Sequence, residues 1–154
     1  MNLIVCLGNR FYSGDGAGPL VHDALAGKTE VQGVEVLDGG IAGLNLLPLL
    51  RGRKRIVFVD SVAGFAPPGE VVVLDADQLK TLPMEQHYGH DSGLLYLLHA
   101  LPVTFPEQES VVLLVGLEGD PREPGIAKAA RTALCLAAAE PGRTPMTYFL
   151  DNTG

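Results

Sequence analysis

Basic residues are scarce in this chain: 11 lysines and arginines stand against 18 aspartates and glutamates, a formal net charge of −7 over 154 residues. Phosphate backbones and anionic lipid surfaces are held by clustered Lys and Arg, so the balance argues against nucleic acid or membrane as the main partner. The one basic cluster, Arg51-Gly52-Arg53-Lys54-Arg55, is expected to be a solvated helix end and strand start. Cysteine is scarcer still. Cys6 and Cys135 each lie in an apolar stretch without CxxC spacing, which predicts buried free thiols over a disulfide framework. Long apolar runs are missing too: none approaches the roughly 18 residues of a membrane span. The opening Met1-Asn2-Leu3-Ile4 has no basic segment of the kind that begins a secretory leader. A cytoplasmic location is the expectation.

What is present suits one domain spanning 1–154, with the segment 140–154 left unassigned: 47% of the residues are hydrophobic, enough for a real core. Strand patterns fall at 3–8, 34–37, 55–60, 70–75 and 110–117, and helical patterns at about 18–27, 42–51, 92–101 and 124–139. In the last helix Ile126, Ala130, Ala133, Leu134 and Ala137 share one face. Strands 1, 2, 3 and 5 are continuous Val/Ile/Leu runs, the pattern of parallel strands covered on both faces. The fourth follows the third across "SVAGFAPPG", which leaves no room for a helix and makes it antiparallel or an edge strand. The fold class predicted is α/β, a three-layer α/β/α sandwich with a five-stranded, mostly parallel sheet and one antiparallel strand.

Such sheets bind ligands at the C-terminal ends of their strands. The first strand runs into "GNRFYSGDGAG", residues 8–18, a glycine-rich stretch with no lysine. It matches neither GxxxxGK[ST] nor GxGxxG, and Asp15 occupies the place a phosphate would need. Nucleotide binding is therefore not expected. Strand 2 ends at Asp38, strand 3 at Asp60, and His87 and His90 precede the third helix. Carboxylates and an imidazole on one rim repel phosphate and attract a cation.

Each residue also has an ordinary role open to it. Asp15 can cap a helix, Asp38 can be the acid of the Gly39-Gly40 turn, and Asp60-Ser61 can end a strand. His90 can be a surface histidine, and His22, His87 and His99 are taken as structural. The joint occurrence of Asp15, Asp60 and His90 on one rim favours a metal site instead. Two oxygens and one nitrogen suit Zn, Ni, Co or Fe and leave positions open for water or substrate. Nothing points to a Ser or Cys triad: neither cysteine is expected near the rim, and Ser13, Ser61 and Ser92 lack a His–Asp relay.

Taken in order, these residues resemble the nickel–iron hydrogenase maturation endopeptidases. The resemblance rests on five blocks over about residues 3–118. They are Gly8-Asn9 with Asp15 and Gly18, "DGGIAGLNLL" (38–47), "IVFVD" (56–60), His90-Asp91-Ser92-Gly93-Leu94, and Gly116-Leu117-Glu118. The chain departs from the pattern at Gly14, where a first acid often stands, at Ile41 in place of Thr, and at Gly119, where Pro is usual.

The resemblance implies an aspartyl-type endopeptidase that removes a C-terminal extension from the hydrogenase large-subunit precursor once nickel has been inserted. It implies that Asp15, Asp60 and His90 bind the metal, and that the nickel belongs to the substrate and marks it for cutting. The chemistry stays open between a metal that polarises the carbonyl or activates water and a carboxylate base. Asp38 is the candidate base, since it shares the rim without matching a ligand. A non-catalytic nickel-binding or scaffolding protein of the same fold is the alternative. It would have no need of Asp38.

Overall fold

Side chains alternate across a strand, so a run such as Leu3-Ile4-Val5-Cys6-Leu7 fits only where both faces of a sheet are covered. All five of these residues are fully buried. In the computed structural model, which describes residues 1–9, 16–26, 31–81 and 93–139, five strands form one sheet. They are β1 (Asn2–Leu7), β2 (Val34–Gly40), β3 (Arg55–Val62), β4 (Val71–Asp75) and β5 (Val111–Glu118). Their spatial order is β2-β1-β3-β5-β4. β1 is parallel to β2 and β3, β3 is parallel to β5, and β4 is antiparallel to β5. The expected fold class holds, and the fourth strand is both antiparallel and an edge.

Helices cover both faces. α1 (Ala17–Ala26) and α4 (Gly125–Ala138) bury Ile4, Cys6, Val57, Val59, Leu113, Val115 and Leu117 between themselves and the sheet. A 3-10 helix (Gly43–Leu50), α2 (Ala76–Thr81) and α3 (Leu94–Thr104) cover Leu3, Val5, Leu7, Ile56, Phe58 and Leu114 on the other side. In α4, Ile126, Ala130, Ala133 and Ala137 are buried as expected, and Leu134 is half-buried.

Several expectations need correction. β2 is an edge strand and half-buried over most of its length, so it is not enclosed like β1 and β3; a continuous apolar run does not say which strand lies outermost. β2 and β3 run on to Gly40 and Val62, past Asp38 and Asp60. The segment near 42–51 is a 3-10 helix, with Pro48 inside it unable to donate a helical hydrogen bond. Arg55 is not solvated. It is 6% exposed, and its Nε donates to the Leu136 carbonyl at 2.9 Å, closing the end of α4 together with Asn2 Nδ2 on Ala137 O at 2.8 Å. Burial pulls the Arg55 guanidinium pKa below its ordinary value. Both cysteines are free, but only Cys6 is buried and Cys135 is half-buried. Among the described residues no helix is long and apolar enough to cross a membrane.

The strand order positions the site. From β1 the chain crosses to β2 on one side, and later to β3 on the other. Connections leaving the C-terminal ends of β1 and β3 therefore head to opposite sides, which makes this the switch point where sheets of this kind bind ligands. Asp60 lies near the C-terminal end of β3, and Asp15 lies in the connection that leaves β1.

Candidate active site

Asp60 is fully buried, an expensive place for a carboxylate unless hydrogen bonds or a cation offset the lost hydration. Its Oδ1 accepts the Ser61 N–H at 2.8 Å. Alternation along β3 decides where it points: Ile56, Phe58 and Val62 face the α3 layer, so Asp60 does as well. Ser61 points to the opposite face, where its Oγ accepts the Ala17 N–H at 3.2 Å. One end of β3 thus presents a carboxylate on one side and fastens the first turn of α1 on the other. Ala17 is two residues after Asp15, so Ser61 ties the Asp15 connection to the strand that carries Asp60.

Two close approaches explain glycines in the sequence blocks. A Cβ on Gly18 would lie 1.8 Å from the Leu7 carbonyl oxygen, so only glycine lets α1 start directly against the end of β1. A Cβ on Gly93 would lie 2.6 Å from the Cα of Gly43, and Gly93 also holds a positive φ of 73°. Backbone touches backbone there, which joins the segment after Asp38 to the start of α3, three residues past His90.

Asp38 sits differently from Asp60. Val34 and Val36 pack on the α1 and α4 side and Leu37 on the other, so alternation puts Asp38 on the α1 side. It is exposed, and Oδ1 accepts the Gly40 N–H at 3.2 Å, the turn bond open to such an acid. Its β1 partner in register is Cys6. Desolvation, with the Asp38 charge second, pushes the Cys6 thiol pKa up to about 12. Cys6 is therefore nearer the rim than expected, one residue from the end of β1, but stays a neutral thiol and offers no nucleophile. Asp38 and Asp60 leave the sheet from opposite faces, two strands and roughly 10 Å apart across it.

Asp15, His87 and His90 lie outside the described residues. Among the described residues no group of three or more His, Cys, Asp or Glu is placed to hold a metal ion; of the three expected ligands only Asp60 is among them. His22 is half-buried on α1 and His99 exposed on α3. Glu118 carries more than its place in a motif indicates. It is the last residue of β5, 6% exposed, on the same face as Asp60. Its Oε1 accepts the Gly64 N–H at 2.7 Å. Those partners are 54 positions apart, so no local pattern could reveal the contact.

A model of the HycI family, described as hydrogenase maturation protease, matches residues 19–140. The chain belongs to the hydrogenase maturation proteases. The match takes in Asp38, Asp60, His90 and Glu118 and begins just past Asp15. Over 121 residues the chain is 30% identical to the hydrogenase 3 maturation protease of Escherichia coli (strain K12), covering 77% of this chain and 73% of that one. The hydrogenase 2 maturation protease of the same organism is 29% identical over 128 residues, covering 80% and 76%. Among solved structures, the [NiFe] hydrogenase maturation protease HybD from Thermococcus kodakarensis superposes with a TM-score of 0.72 at 26% identity, covering 89% of this chain and 99% of that one.

Proposed function

We propose that this maturation protease is an endopeptidase that removes the C-terminal extension of a nickel–iron hydrogenase large-subunit precursor, and that it reads the nickel already bound by that substrate. Asp60 carries the reading: a carboxylate buried near the C-terminal end of β3, at the switch point of the sheet, with which Asp15 and His90 are proposed to join. A carboxylate rim repels anions and welcomes a divalent ion, and two oxygens with one imidazole leave coordination positions for groups the substrate supplies. The ion then bridges two proteins, and the energy of that contact orients the peptide bond to be cut.

Recognition and cleavage are divided between faces in this reading. Asp60 serves the nickel. Asp38, exposed at the same end of the sheet, two strands away and on the opposite face, serves the peptide bond as general base. Ile41 and Leu44, 57% and 52% exposed just after Asp38, supply an apolar surface suited to a protein substrate.

Calorimetry with nickel on the Asp15→Ala, Asp60→Ala and His90→Ala variants tests the site. Each is expected to weaken binding by about tenfold or more and to abolish cutting of nickel-loaded precursor, followed by intact mass. Unchanged affinity in all three removes the metal site from the account. Nickel binding without any cutting by the wild-type protein makes this a metal-binding or scaffolding member of the fold.

A further inference from the structure

The connection from β3 to β4 must pass over β5, because β4 pairs on the far side of that strand. Residues 63–70 make the crossing, and Glu118 grips them at both ends. Gly64 N–H donates to Oε1 at 2.7 Å and Phe65 N–H to Oε2 at 3.4 Å. Gly69 N–H donates to the Glu118 carbonyl at 2.8 Å, and the Glu118 N–H donates to Glu70 O at 2.9 Å. Two consecutive backbone amides around a carboxylate form an anion-binding concavity, and charge-assisted bonds of this kind are the strong ones. If filling space were the only requirement, an apolar side chain would serve at a buried strand end. A carboxylate instead fixes the loop's backbone.

The loop borders the candidate site. Glu118 pairs in register with Val62, so it stands one strand over from Asp60 and two residues further along, on the same face. Ala63, Gly64, Pro67 and Pro68 are exposed, while Phe65 is half-buried against the α3 layer, toward which Asp60 points. An apolar ledge, two of whose residues are prolines, is thus held rigidly beside the buried carboxylate.

We propose that Glu118 is a positioning residue: it holds the 63–69 loop as the wall along which the precursor's C-terminal segment lies while its nickel sits at Asp60. This rests on the function proposed above. Glu118 touches neither the metal nor the scissile bond. It acts by keeping the loop in its binding conformation beforehand, which spares the complex the ordering cost.

Steady-state cleavage of nickel-loaded precursor by the wild type, Glu118→Leu, Glu118→Gln and Phe65→Ala tests this, alongside nickel calorimetry and circular dichroism. Glu118→Leu is expected to raise KM by about tenfold or more, with kcat within about threefold and nickel affinity unchanged. Glu118→Gln keeps an acceptor for Gly64, so its KM should stay within about threefold of wild type. Phe65→Ala should raise KM, and combined with Glu118→Leu it should add less than the product of the two, because both act through one loop. Should Glu118→Leu fail to fold, Phe65→Ala and Glu118→Gln decide. An unchanged KM in a folded Glu118→Leu or in Phe65→Ala, or a loss confined to kcat, overturns the inference and leaves the proposed function standing. A wild-type protein that cuts nothing overturns the function and the inference together.

Discussion

Asp38 and Asp60 are the same kind of side chain near the ends of two parallel strands, and their surroundings give them different capacities. Asp60, buried and tied to the Ser61 N–H, is held in one orientation, which suits coordination of an ion arriving in a fixed geometry. Asp38 is open to solvent at an edge strand, with one oxygen taking the Gly40 N–H, and can exchange protons with water or substrate. Asp38→Asn should leave the fold and nickel affinity unchanged and cut the rate of precursor processing by about 100-fold or more, because an amide cannot take up a proton as a base. Processing at the wild-type rate would reduce Asp38 to a turn residue and pass the chemistry to the metal. The two acids were visible in the sequence as strand-end acids. Their opposite facing was not, because it depends on the register across β1: Asp38 is level with Cys6 and Cys6 with Val59, so Asp60 comes one residue later and points to the other face.

The elements meet at the site through backbone contacts that only glycine permits. α1 starts against the Leu7 carbonyl, so Gly18→Ala must shift the helix away from the end of β1. That substitution should destabilise the fold by about 2 kcal/mol or more, as overpacked sites do, and weaken nickel binding as well. Denaturant titration with nickel calorimetry checks both, and an unaltered Gly18→Ala protein would show that α1 does not set the position of Asp15. The strands were legible because apolar runs in a covered sheet have few alternatives. The start of α2 is written in the chain, although its helical period is not. Asp75 and Gln78 cap it reciprocally, with Asp75 N–H on Gln78 Oε1 at 2.9 Å and Gln78 N–H on Asp75 Oδ1 at 2.8 Å. This is a capping-box arrangement in a helix of six residues, too short to show a period. The burial of Arg55 is not legible in the sequence for a different reason: its partner, the Leu136 carbonyl, is 81 positions away, and only the docking of α4 makes a buried arginine acceptable.

At the scale of the whole molecule, the strand order β2-β1-β3-β5-β4 makes a switch point where the β1 and β3 connections part, and it brings the acid of β3 and the loop held by Glu118 to the same end of the sheet. The chain is acidic, with a formal charge of −7, which disfavours a phosphate ligand and fits the proposal of a metal-bearing protein substrate. The account's central claim is that the ion is the substrate's and works as a bridge. Docking through coordination adds binding energy that a metal-free precursor cannot supply, although its peptide bond is chemically the same. A time course of cleavage on nickel-free and nickel-loaded precursor, using protease stripped with chelator, tests this most directly. The loaded form should be cut and the nickel-free form left intact, with no rescue when the protease alone is given nickel. Equal cleavage of both forms would contradict the account and point to an ordinary peptidase indifferent to the substrate's metal.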